Sequence, residues 1–200
     1  MEGFVRRGER LYCALEPLEA VLISRILIDT AERTILVTGI PVPETAPAVG
    51  ADPDPLQGLD FTSAAPTPQI FDPAIALILP DGVPTDPQES AEFRQLTQHD
   101  LAVKKVRRLL HWGGVISHAD DEFAVERSEV LEFVAALNDA RLLLHSRREG
   151  TAEIPEEERG EYQDLQLLDA MYDVLTWMAG AVLEASGALG STAEDLDSIS

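Results

Sequence analysis

From Ser128 to Gly187 two long segments place apolar residues every three or four positions, a period that only a helix can present as one face. The pair predicts a helical hairpin as the spine of the fold, with the earlier residues edging it. Its first half is interrupted by Asn138, Asp139 and Arg141 before the run resumes at Leu142, Leu143 and Leu144. Its second half repeats Leu165, Leu168, Tyr172, Leu175, Met178 or Ala179, and Val182, and Gly187 ends it. The first helix is expected to start behind Ser128 as N-cap and to reach Arg147 or Arg148, and the second to run from Glu161 to about Ser186.

Upstream, Leu11, Cys13 and Leu15 alternate at period two, and Phe4 to Leu15 reads as a small hairpin turning at Arg7-Gly8-Glu9. Pro17 then suits the first turn of a helix, which Leu18, Val21, Leu22 and Ile26 carry to about Thr34; beyond it, Ile35, Leu36 and Val37 fit a strand equally well. Ser90 to Trp112 has helical spacing, with Gly113-Gly114 as its expected stop. Phe123 and Val125 mark a short strand whose natural partner is the N-terminal hairpin. The whole predicts a mainly α protein: a helical bundle with a small antiparallel β element, the N-terminal hairpin plus a short strand near 122–126.

Eleven of the thirteen prolines lie between Pro41 and Pro87, too many missing amide donors for regular structure. One domain therefore accounts for the chain. Residues 1–40 supply the hairpin and first helix, 41–88 a Pro-rich flexible insertion, 89–187 the helical core, and 188–200 a disordered tail. Within the insertion, Ile75 to Leu79 could dock on the body as a short apolar anchor, or be claimed by a partner.

A net charge of −21 opposes general affinity for phosphate backbones and suits docking on a basic patch of another protein. Direct nucleic-acid binding is thus disfavoured. The one cysteine excludes a disulfide within the chain and any multi-cysteine zinc site. Residues 1–10 carry Arg6, Arg7, Glu9 and Arg10 without an apolar core for a secretory signal, and the aliphatic run Val21 to Ile28 holds Arg25 and is far too short for a membrane span. A cytoplasmic location without membrane contact is expected.

Four features could carry chemistry. Cys13 precedes a helix whose positive end would favour a thiolate, yet it shares its strand face with Leu11 and Leu15, as a buried hydrophobe would. Lys104, Lys105, Arg107 and Arg108 form the one concentrated basic surface, readable as a DNA-recognition helix, a protein contact face, or a solvated face in an acidic chain. Asn138 and Arg141 project from one side of their helix, where a buried arginine calls for a carboxylate; Asp169 or Asp173 is the natural partner, giving either a pocket floor or a pair that sets helix alignment. His99, His111, His118 and His145 lack the ligand spacing of a zinc helix, so no metal and no cofactor are expected. Nor is there a phosphate-binding glycine loop, a nucleophile-elbow serine or a distinctive carboxylate pair, and a non-enzymatic role is predicted.

Three stretches resemble a known family. Ala14-Leu15-Glu16-Pro17-Leu18-Glu19-Ala20, Ala135-Ala136-Leu137-Asn138-Asp139-Ala140-Arg141-Leu142 and Tyr172-Asp173-Val174-Leu175-Thr176 are similar to the actinomycete oxidative stress transcriptional regulators of the AosR type, formerly a family of unknown function. The resemblance implies a regulator acting through the transcription machinery, with a sigma factor or RNA polymerase as partner, in response to oxidants. A homodimer is a further possibility of assembly. Cys13 has no second thiol in this chain, so any oxidant response would run through a disulfide between chains, a mixed disulfide or a sulfenic acid.

Overall fold

The computed structural model describes residues 3–41, 72–80, 98–152 and 165–188. The expectations for the rest of the proline-rich insertion, for Ser90 to Thr97, for the acidic connector around Pro155, for the start of the last helix before Leu165 and for the tail lie outside those residues.

The chain opens with strands β1 (Val5–Arg7) and β2 (Arg10–Ala14), joined by a turn in which Gly8 takes φ +68°. β2 pairs antiparallel with β3 (Glu122–Glu126), giving a three-stranded sheet in the order β1-β2-β3, with Leu11 opposite Val125 and Cys13 opposite Phe123. Alternation therefore sends Leu11, Cys13, Phe123 and Val125 into the core from one face. On the other face Arg10 pairs with Glu126 at 2.5 Å and Arg7 with Glu122 at 2.8 Å. These exposed pairs contribute little, about 0–1 kcal/mol each.

Helix α1 (Pro17–Thr38) starts with proline in its first turn, and Glu19 Oε2 accepts from the backbone N–H of Glu16 at 3.0 Å. It runs past Thr34, the expected end. The hydroxyls of Thr30, Thr34 and Thr38 each donate to the carbonyl four residues earlier, at 2.7, 2.8 and 2.6 Å, which lets threonines sit in a buried helix face. Gly39 ends the helix in the left-handed region at φ +69°, its N–H donating to the Ile35 carbonyl.

The apolar anchor in the insertion is a docked helix, α2 (Pro73–Ile78). Asp72 caps it, accepting from the amides of Ala74 and Ile75, and also pairs with Arg33 of α1. Ala74, Ile75, Ile78 and Leu79 are buried, mainly against α4 (Val130–Ala152). Although its partial burial pushes the other way, the Ile75 amide and Arg33 hold the Asp72 carboxyl below its usual range.

Helix α3 (His99–Ser117) passes through Gly113-Gly114 rather than stopping there. Tertiary packing supplies the reason. A Cβ on Gly113 would lie 2.8 Å from Ile28 Cγ1 and 3.4 Å from the Ser24 carbonyl oxygen, so this glycine marks the closest approach of α1 and α3. Ser128 sits inside a 3₁₀ turn (Arg127–Glu129) leading into α4, not at a capping position, and α4 continues to Ala152. Helix α5 (Leu165–Ser186) packs along α4 as the predicted hairpin.

The mainly α fold with a small antiparallel sheet is what the sequence predicts, but the early residues do more than edge the spine. The α1–α3 pair is packed at least as extensively as the α4–α5 pair, and α4 joins the two. Where sheet and helices meet, Phe133 lies with its ring centroid 4.8 Å from Trp112, 5.8 Å from Phe123 and 6.1 Å from Phe4. Tilted and edge-on contacts of this kind add about 0.5–1.5 kcal/mol each beyond the area they bury.

The two glycines of α3 separate packing from propensity. Gly114→Ala, with nothing near its added methyl, should stabilise the protein by up to about 1 kcal/mol. Gly113→Ala should cost about 1–2 kcal/mol because the overpacking outweighs the same gain. Urea unfolding of both variants reads the difference directly.

Candidate functional site

The basic cluster divides according to helical phase. Lys104 and Arg107 point to solvent, while Lys105 and Arg108 turn toward α4 and converge on Asp139. Lys105 Nζ donates to Asp139 Oδ1 at 2.7 Å and Arg108 Nη2 to Asp139 Oδ2 at 2.6 Å. The carboxylate side chain is 3% exposed and its partners 16% and 12%, so this is an ion-pair node in a largely water-free seam. Arg108 Nη1 also reaches Glu132 Oε2 at 3.3 Å, while its Nε is buried with no hydrogen-bond partner. Removing one side of such a pair leaves an uncompensated charge, whereas the intact node adds geometric definition more than net stability.

Asn138, expected to organise the core, is exposed on α4; the neighbouring Asp139 takes the buried position. Arg141 does turn toward α5, but not to a carboxylate. Its Nη2 donates to the Tyr172 hydroxyl at 2.9 Å and its guanidinium lies 4.8 Å from the Tyr172 ring centroid. Asp173 is exposed, and Asp169 pairs with Arg148 at 2.8 Å. One helical position separates the expected partner from the observed one. At Tyr172 the ring faces α4, and at Asp173 the side chain has rotated toward solvent.

Cys13 is fully buried between Leu11 and Leu15 on the core face of β2. Its Sγ lies 3.7 Å from the Ala14 carbonyl oxygen. Burial, reinforced by Glu19, pushes the thiol pKa up to about 11, so the neutral thiol is the resting form. The histidines stay apart, and among the described residues no group of three or more His, Cys, Asp or Glu side chains could hold a metal ion.

The feature that sequence reading missed lies between α1 and α5. These helices diverge to leave an apolar cleft of about 120 Å³, lined from α1 by Glu19, Leu22, Ile23 and Ile26 and from α5 by Leu167, Ala170, Met171, Val174 and Leu175. Large apolar side chains are exposed beside this lining: Leu18, next to Glu19 on α1, is 68% exposed, Leu167 in the lining 48%, and Trp177, three residues after Val174 on α5, 41%. Leu167, Ala170, Val174 and Trp177 recur every three or four residues along α5, next to its core-facing residues Leu168, Leu175 and Val182. The signal was present as an apolar arc too wide for one contact face. Periodicity alone could not divide it into a part packed on α4 and a part left exposed beside α1.

Among the described residues no helix is long and apolar enough to cross a membrane. A family model described as "Domain of unknown function (DUF2017)" matches residues 1–186, so the chain belongs to that family. No curated protein and no solved structure matches it.

Two variants test the site's chemistry. Asp139→Ala should cost about 3–5 kcal/mol in urea unfolding, and replacing Lys105, Arg108 and Asp139 together by apolar residues of similar volume should recover most of that loss. For Cys13 the raised pKa contributes stability in full below pH 9.0, and that contribution is lost as pH rises through about 11. The stability difference between the wild type and Cys13→Ala should therefore shrink over that window, while a thiol reagent at neutral pH labels Cys13 only as fast as the protein opens.

Proposed function

We propose that this chain is a non-enzymatic, cytoplasmic regulatory protein that works by binding another protein, and that it modulates oxidative-stress transcription through a sigma factor or RNA polymerase. The observation that carries the protein-binding part is the apolar cleft and stripe on α1 and α5, exposed among the described residues. Contiguous apolar surface of this kind on a chain of net charge −21 is the mark of a contact site, because single scattered hydrophobes would not line up along one helix. The transcriptional part rests on the resemblance to AosR-type regulators carried by the stretches at 14–20, 135–142 and 172–176.

Cys13 enters this reading conditionally. A thiol buried on the core face of β2 is oxidised only when the core around it opens, so its reaction would report that opening and not ambient oxidant alone. Direct DNA binding through the basic helix is the weaker reading, because Asp139 engages two of the four cations and leaves Lys104 and Arg107 to face solvent.

Affinity purification of the tagged chain from oxidant-treated and untreated cells, with mass spectrometry of sigma and polymerase subunits, tests the proposal. Enrichment of those subunits by the wild type, lost in Val174→Glu, is the expected result. Electrophoretic shifts whose salt dependence weakens when Lys104 and Arg107 are replaced by Gln would instead establish DNA contact.

A further inference from the structure

We infer that the α1–α5 cleft receives an amphipathic helix of the partner, with an apolar side chain seated in the cleft and lysines or arginines along the flank that meets α5. The inference rests on the protein-binding reading and specifies the chemistry of what binds. Two observations carry it.

Size comes first. An apolar cavity of about 150 Å³ holds one benzene molecule, so a cleft of about 120 Å³ takes a single aliphatic or aromatic side chain and not an extended hydrophobic segment. The remaining contact must therefore spread beside the cleft, where Leu18, Leu167 and Trp177 already offer apolar area. A buried anchor surrounded by flatter apolar contact is how an amphipathic helix engages a groove formed by two helices.

Charge comes second. From Leu165 to Ser186, α5 carries Asp169, Asp173 and Glu184 and no lysine or arginine. Helical phase puts Asp173 and Glu184 beyond Trp177 on the solvent side of the apolar stripe, and both are exposed. Across the cleft, Glu19 belongs to the lining itself. Glu19 is already engaged by the Glu16 backbone N–H, so a helix lying between α1 and α5 would meet exposed carboxylates along its α5 side, and a basic flank there would match them.

The same charge decides against a second copy as occupant. Bringing two chains of net charge −21 together with their α5 faces opposed is disfavoured by repulsion, since α5 holds no cation between Leu165 and Ser186.

The probe is a synthetic Leu/Lys amphipathic helical peptide, compared with its Leu/Glu counterpart and with a sequence-scrambled Leu/Lys peptide of the same composition. The reporter is Trp177, distinguished from the buried Trp112 by its exposure. The Leu/Lys helix should shift Trp177 emission to the blue and protect it from acrylamide, and the other two peptides should not. Ala170→Glu, at an exposed position on the cleft wall, should weaken binding by at least about tenfold, and added salt should weaken it further. Leu36→Glu, also exposed but away from the cleft lining, should leave binding unchanged. If Ala170→Glu proves unstable by circular dichroism, Trp177→Ala replaces it with anisotropy of labelled peptide as the readout.

Equal binding of the scrambled peptide, or binding insensitive to both cleft variants, overturns the inference. So does a Trp177 already shielded from acrylamide in the unbound protein, which would mean that the chain covers its own cleft. A concentration-dependent dimer in light scattering that Ala170→Glu dissolves would assign the cleft to a second copy instead. Failure of the peptide with continued enrichment of polymerase subunits removes this inference alone; loss of that enrichment from the wild type removes the functional reading itself.

Discussion

Helix α4 is packed on several sides at once, and the rest of the molecule is arranged around that demand. Phe133, Ala136, Leu137, Ala140, Leu143 and Leu144 are all buried, and α1, α2, α3, α5 and β3 each contact the helix. A helix apolar over so much of its circumference cannot be satisfied by a single partner. The α1–α3 pair closes one side and α5 another, while the aromatic group at Phe133 ties the sheet to the same helix.

Burying α4 on several sides raises the difficulty of its polar residues, and two that turn inward are resolved differently. Asp139 is held by two cations from α3, and Arg141 by the hydroxyl and ring face of one tyrosine from α5. Apolar contacts tolerate sliding, whereas these need particular partners at particular heights along the helices. The alignment of α3 and α5 on α4 is thereby defined at one point each.

Against that closed side, α5 leaves its other flank open toward α1. The cleft there shares no residue with the ion-pair node, while Glu19, which belongs to its lining, is also the charge that acts on the buried Cys13 thiol. Family membership adds no function to this picture, since the family is itself one of unknown function.

Local pattern within the sequence determined the elements: period-two alternation at Leu11, Cys13 and Leu15, proline in the first turn of α1, and the helical period of α4 and α5. These are properties of one segment meeting water on one side and a core on the other, so no knowledge of neighbours is needed to read them. Tertiary structure decided what those segments meet. It carried α3 through Gly113-Gly114, because a close helix crossing requires a missing side chain there. It turned Lys105 and Arg108 from a basic face into partners of Asp139, exposed Asn138, and chose Tyr172 over Asp173 for Arg141. It also left part of the apolar arc of α5 exposed among the described residues. Each outcome depends on the rotation of one helix against another, a quantity set by long-range packing and absent from any single stretch of chain.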